Sequence, residues 1–318
     1  MRKWLLGGFV ALFSTLALSQ SFPERPVRII VPLPPGGSPD TIARTLSQGL
    51  QGVWSQPVVV ENRTGGSQNI GADLVAKSAP DGHTWLLSPD NVFSVNAHIA
   101  KQPFDPFADL APVTLLARIQ FLLVTHPSVP AKSVPELVAY AKARPGELNF
   151  GSSGIGSPQF LGGTLLQQMS GTKMNHVPYK GAAPAVTDLL GGRIQVWVGA
   201  ANSLLPHIRA EKLRVLGTTA DQRFSALPDT PTVAEAGLPG YSLYPWLGMF
   251  VPAKTPPEVV ARINTEISRI LNSTEVKAKL VAQGIDIATG TPAELARIIR
   301  EDDARWGKLI RDAGIKPE

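Results

Sequence analysis

Pro26-Val27-Arg28-Ile29-Ile30-Val31-Pro32-Leu33-Pro34-Pro35-Gly36-Gly37-Ser38-Pro39-Asp40 is the stretch on which the fold turns. Val27–Val31 is a short apolar run halted by Pro32 and reads as a buried strand. Beyond Pro39, Ile42, Leu46 and Leu50 fall at i, i+4 and i+8, one face of a helix. The unit is strand, glycine-rich turn, helix. It is followed by more of the same kind: Val58–Glu61 and Thr84–Leu87 are strand-like. Ile70, Leu74 and nearby alanines mark a second helix, stopped at Pro80-Asp81-Gly82. Strands alternating with helices predict an α/β sheet with mostly parallel strands.

Pro103, Pro106 and Pro112 interrupt the rhythm, after which Val113–Ala117 and Phe121–Thr125 read as extended. The alternation then restarts, with helices over 134–143, 158–169 and 184–190. The strands expected there are Leu148–Phe150, His176–Pro178, Ile194–Val198 and Leu213–Leu216. A second proline-marked break (Pro228, Pro231, Pro239) precedes an extended Leu247–Val251 and helices near 257–271 and 292–312. The segments near 113–125 and 241–251 are therefore candidate crossings between two α/β lobes, each a mostly parallel sheet flanked by helices. The expected division is residues 21–119 plus 247–318 for lobe 1 and 120–246 for lobe 2.

The opening motif has a counterpart in the second lobe. Leu148–Phe150 runs into Gly151-Ser152-Ser153-Gly154-Ile155-Gly156-Ser157-Pro158. Both turns end in Gly-Ser-Pro, which predicts Ser38 and Ser157 as N-caps with Pro39 and Pro158 in the first helical position. A helix N-terminus offers unpaired N–H groups and partial positive charge, and glycines let an anion approach the backbone closely. Two such turns facing each other would hold a carboxylate without any Lys or Arg; the alternative is that each only caps its helix. The candidate ligand contacts are Pro35, Gly36, Gly37, Ser38 and Asp40 from the first turn, and Ser152, Ser153, Gly154, Gly156 and Ser157 from the second. Tyr179 (or Lys180) in Val177–Pro184 and Trp246 near a crossing are further candidates. Thr64–Ala72 is a third glycine-rich strand-to-helix turn.

Arg2, Lys3 and the apolar run Trp4–Leu18, ending in Ala17-Leu18-Ser19, read as a signal peptide over residues 1–20, which places the mature protein in the periplasm. There is no cysteine, which excludes thiol catalysis and disulfides. Of 30 Lys+Arg and 25 Asp+Glu, only Arg2 and Lys3 leave with the leader. The remaining charges are dispersed, and a nucleic-acid partner gains no support. G-x-S-x-G, G-x-G-x-x-G and P-loop motifs are absent, and the five histidines lack metal spacing, so no catalytic residue, metal or cofactor is predicted. A periplasmic hydrolase using Ser152 or Ser153 would need a base distant in sequence.

These residues carry a resemblance. Over 23–318 the chain resembles the periplasmic receptors of the tripartite tricarboxylate transporter family, the Bug proteins. The resemblance rests on Pro26–Pro32 with Pro35–Asp40, Val60–Arg63, Gly71-Ala72 and Ala79–Gly82, and further on Asn149–Gly154, Val177–Gly181 and Asp188–Gly192. It implies a two-lobed type II periplasmic-binding fold that closes on its ligand. A ligand carboxylate would be held by Pro34–Asp40 and Gly151–Ser157, partly through water. It further implies a monomer without cofactor that delivers to a permease of one large and one small subunit; a sensor of a two-component system would read the same way. Two places depart from the family pattern: Phe160-Leu161-Gly162-Gly163-Thr164 stands where His-Leu-Ala-Gly-Glu is frequent, and Gly199-Ala200-Ala201-Asn202 where an early Asp or Asn is frequent. The second departure points to a less polar or aromatic carboxylate. Phe160, Gly199–Asn202 and Trp246 are the positions expected to set ligand identity.

Overall fold

The structure, a computed structural model, describes residues 22–315, so the signal-peptide reading lies outside the described residues. The chain begins β1 (Val27–Val31), α1 (Ser38–Gln51), β2 (Val58–Asn62), α2 (Asn69–Ala76), β3 (Thr84–Pro89), α3 (Asn91–Ser94), α4 (Asn96–Ile99) and β4 (Leu110–Ile119). It continues with β5 (Phe121–Thr125), α5 (Val134–Ala143), β6 (Asn149–Ser152), α6 (Pro158–Ser170), β7 (Asn175–Pro178), α7 (Ala182–Leu190), β8 (Val196–Ala200), α8 (Ala201–Arg209) and β9 (Arg214–Thr218). It ends β10 (Trp246–Pro252), α9 (Pro257–Leu271), α10 (Thr274–Val281), β11 (Ile285–Ile287) and α11 (Pro292–Asp312).

Two sheets result. The first has the order β11-β4-β10-β3-β1-β2 and the second β7-β6-β8-β5-β9. Strands linked by crossover helices pair in parallel: β1 with β2 and β3, and β6 with β7 and β8. The remaining pairs, β10 with β3 and β4, β11 with β4, and β5 with β8 and β9, are antiparallel. The sheets are thus mixed. The expected parallel order holds within the βαβ units and gives way where the chain passes between the sheets.

It passes from one sheet to the other between Ile119 and Phe121, through Gln120 alone. It returns at Tyr244-Pro245 into β10, whose first residue, Trp246, pairs with Arg118 of β4 in the first sheet.

Burial follows the apolar cadence. Ile42, Leu46 and Leu50 of α1 are buried as their spacing predicts, against a β1 in which Val27, Ile29, Ile30 and Val31 are fully buried. On α6, Gly162 and Gly163 are packing devices. A Cβ at Gly162 would lie 2.7 Å from Val198 and Leu243, and one at Gly163 2.4 Å from Phe150, so glycine lets this helix lie close on the second sheet. Among the described residues, no helix is long and apolar enough to cross a membrane, and no group of three His, Asp or Glu is placed to hold a metal ion.

Candidate functional site

In the first turn the expected cap shifts by one residue. Gly37, with extended backbone, is the N-cap of α1, so Ser38 is the first helical residue and makes no capping hydrogen bond. Two adjacent glycines allow the chain to turn before the serine is reached. Gly36, at φ +92, takes a conformation that disfavours other residues.

Asp40 commits its carboxylate within its own lobe. It is buried, and its carboxylate accepts from the Gly36 N–H (3.0 Å), Arg44 Nε (2.9 Å) and Asn62 Nδ2 (3.1 Å). Burial pushes its pKa up, but the bonds from Arg44, Gly36 and Asn62 outweigh this and hold it below the usual carboxylate value. Asp40 is the clamp that fixes the turn; Asn62 also donates to the Leu33 carbonyl at 2.9 Å.

In the second turn Ser157 caps α6 as predicted, accepting from the Phe160 N–H at 3.3 Å, with Pro158 next. Its hydroxyl also lies 2.7 Å from the Gly154 carbonyl. Ser152 is fully buried. Its Oγ accepts from the Gly154 N–H (3.1 Å) and lies 2.6 Å from His176 Nε2, so it is spent on organising the turn. The distant histidine that a serine hydrolase would need is therefore present, but the serine is shut away from solvent.

The donors left over are backbone groups. Among the described residues, the N–H groups of Gly37, Ser38 and Asp40 in the first turn have no acceptor. The same is true of Ser153, Ile155, Gly156 and Gln159 in the second. This is the orphan set that a helix N-terminus presents to an anion.

The two turns belong to different sheets, and the lobes meet beside both. Asn202, in the first turn of α8, donates to Ser38 Oγ at 3.4 Å. A Cβ on Gly156 would lie 2.4 Å from Ile99 and 3.3 Å from Val95 of the first lobe. The third turn adjoins this contact: Asn96 of α4 donates to the Ser67 carbonyl at 2.7 Å.

Three other candidates are placed elsewhere. Trp246 is fully buried among Phe93 and Phe250, with its indole N–H given to Asp302 at 2.6 Å; it is a core residue and lines no cleft. The Tyr179 hydroxyl donates to Asp188 of α7 (2.9 Å), which also pairs with Arg193 (2.6 Å), so its polar end is committed within the second lobe. Phe160 is buried, its ring centroid 4.8 Å from that of His176. Of the positions expected to set ligand identity, Asn202 is the one that reaches across to the first turn.

Gln68, within the third turn, and Gln159, which the sequence did not mark, have side-chain carbonyl oxygens buried without a hydrogen-bond partner. Gln159 directly follows the second turn, at the start of α6. A position next to a Gly-Ser cluster is the only signal the sequence offers for either.

Two cavities lie apart from the turns. One, of about 380 Å³, is lined at the crossings by Asp90, Arg118, Tyr244, Asp302 and Arg305 among others. The other, of about 650 Å³, lies around Phe22, Arg25, His83 and Arg262 at the opposite end of β1. Neither is lined by a residue of either turn. The candidate site is located by the orphaned N–H groups and the contacts between lobes, and not by cavity volume.

A two-lobed α/β molecule with an unsatisfied helix start from each lobe fits the class of solute-binding receptors. Residues 42–315 match the tripartite tricarboxylate transporter family receptor, and the chain belongs to that family. It is 37% identical to BugT of Bordetella pertussis over 98% of this chain and 97% of that protein. It is also 37% identical to a protein encoded between tcbD and tcbE in Pseudomonas sp. strain P51, over 97% and 93% of the two chains. Among solved structures, R. palustris Rpa4515 with adipate aligns with a TM-score of 0.86 at 36% identity, covering 93% of this chain and all of that one. MatC of Rhodopseudomonas palustris with bound malate aligns at 0.79 and 30%, covering 91% of this chain and all of that one. The periplasmic binding protein BugD aligns at 0.81 and 29%, over 93% and all of the two chains.

Proposed function

We propose that this receptor captures a small dicarboxylate between its lobes in the periplasm. One carboxylate would sit on the free backbone N–H groups of Gly37, Ser38 and Asp40 in the first turn and of Ser153, Ile155, Gly156 and Gln159 in the second. The observation that carries the reading is the pair of unsatisfied helix starts, one from each sheet, at a place where the lobes already touch through Ser38 and Asn202. Such a site binds by fixed dipoles without a buried counter-charge. That suits a receptor that must release its cargo.

Adipate in one relative and malate in another are both dicarboxylates. The small Gly199–Ala201 segment leading to Asn202, which reaches the first turn, favours the less polar of the two kinds. The lobes divide near 119–121 and 244–246. Residues 1–20 act as a cleaved export signal, the mature protein works as a monomer without cofactor or enzymatic activity, and it delivers to a large and a small permease subunit.

The test is a thermal-shift screen of the mature protein with adipate, malate, glutamate and nicotinate. At a concentration 100 times its Kd, a ligand of the folded state stabilises by about 2.7 kcal/mol, a few degrees in Tm. A shift with adipate is expected, and none with glutamate. No shift with any carboxylate contradicts the reading.

A further inference from the structure

The second turn is tied to a histidine whose ring packs on Phe150 and Phe160 while its Nε2 reaches the turn through Ser152. His176 lies on β7, the edge strand of the second sheet, and Ser152 on the neighbouring β6. The 2.6 Å contact from His176 Nε2 to Ser152 Oγ continues from Oγ to the backbone N and O of Gly154, each at 3.1 Å, and so to the peptide units on both sides of that residue. The Gly154 carbonyl also takes the Ser157 N–H at 3.2 Å and the Ser157 hydroxyl at 2.7 Å. Gly154 has φ +115 and open space where a side chain would be. Hydrogen bonds, with no packing around it, thus hold the tip of this turn.

We propose that His176 is a positioning residue for the second carboxylate-binding turn, and that its protonation, relayed through Ser152 to Gly154, couples ligand affinity to pH. This rests on the reading that a carboxylate occupies that turn.

The relay has two settings. With the imidazole neutral and its proton on Nδ1, the Ser152 O–H donates to Nε2, and Oγ accepts only from the Gly154 N–H. When the imidazole takes up a proton, Nε2–H donates to Oγ, and the hydroxyl hydrogen passes to the Gly154 carbonyl. The same protonation puts a positive charge behind a turn that receives an anion.

The surroundings make this charge responsive to the ligand. Burial lowers the His176 pKa, and no charged side chain contributes to the shift. The faces against it are Phe150 and Ser152 of β6 and Phe160 of α6, all uncharged. Nearby Asp188, Arg193 and Tyr179 are engaged with one another. A carboxylate arriving at the turn would be the first opposite charge His176 meets. It raises the pKa, so binding takes up a proton and affinity rises as pH falls.

The experiment has two arms. In ligand-free protein, the Gly154 amide resonance is followed by NMR against pH, together with the His176 imidazole. The two should titrate with one midpoint, and Ser152→Ala should uncouple them; a Gly154 resonance that ignores the His176 midpoint overturns the relay. This arm needs no ligand and stands even if adipate fails to bind.

In the second arm adipate affinity is measured by calorimetry at pH 6 and 8. The wild type should bind roughly threefold to tenfold more tightly at pH 6, the range for one unit charge at this distance behind partly screening protein. His176→Gln, whose amide oxygen can accept from the Ser152 hydroxyl as the neutral imidazole does but which cannot titrate, should bind at both pH values with the wild type's pH 8 affinity within about threefold. A wild-type pH slope preserved in His176→Gln overturns the coupling, as does a flat wild-type profile.

Discussion

Asp90, at the carboxyl end of β3, has one carboxylate oxygen buried without a hydrogen-bond partner, and it lines the cavity at the crossings. Burial, and after it the charge of Asp302, push its pKa up from 3.8 to about 7; Arg118 offsets only part of this. The folded state therefore holds a proton more tightly than the unfolded chain. Stability should fall as pH rises from about 4 to about 7, and the loss is complete above that. Asp90→Asn removes the charge and leaves the shape. It should stabilise the protein at pH 8 by ~2–4 kcal/mol and have little effect at pH 4, read from urea unfolding at the two pH values. An equal effect at both would show that the carboxylate is not strained by burial.

The same scale shows what the sequence could not disclose. Asp40, Tyr179 and Trp246 all lie in or near the motifs that mark the site. Their polar atoms are taken by Asn62, Asp188 and Asp302, 22, 9 and 56 residues away. Ser152 likewise finds its partner 24 residues on, across two strands. Which side of a motif faces a ligand depends on such partners, and spacing along one chain does not encode them.

At the scale of elements, two turns with the same Gly-Ser-Pro ending behave differently. Ser157 caps α6, whereas Gly37 caps α1 and leaves Ser38 inside the helix. Ser157→Ala should cost about 1 kcal/mol in denaturant unfolding, and Ser38→Ala clearly less. Equal losses would mean that the one-residue offset has no energetic consequence.

Long periodic elements were legible, α1, α5, α6, α9 and α11 closely so. The helix α8 was not, since Pro206 interrupts its interior and its start reads as a loop. The short α10 and the three-residue β11 give too few apolar positions to show a period. The antiparallel part of each sheet was missed because strand direction across a hinge is set by the path between lobes.

For the whole molecule, the two-lobe plan was legible from proline-rich breaks and the restart of alternation, while the contact between lobes was not. Gly156 is the point where that contact can be tested. Any side chain there meets Ile99 across the interface, and φ +78 adds strain. Gly156→Val should hold the lobes apart, seen as a larger radius of gyration in solution scattering with unchanged circular dichroism. It should also weaken carboxylate binding at least tenfold, because the competent closed state is depleted. Unchanged dimensions and affinity would mean that the lobes close without this contact.

In the proposed complex two backbone turns, one from each lobe, share one carboxylate. Amide chemical-shift mapping tests it most directly, using mature protein titrated with adipate. The resonances of Gly37, Ser38 and Asp40 should move together with those of Ser153, Ile155, Gly156 and Gln159, along a single binding curve. Shifts confined to one turn, or centred on Asp90, Arg118 and Arg305 at the crossings, would contradict it.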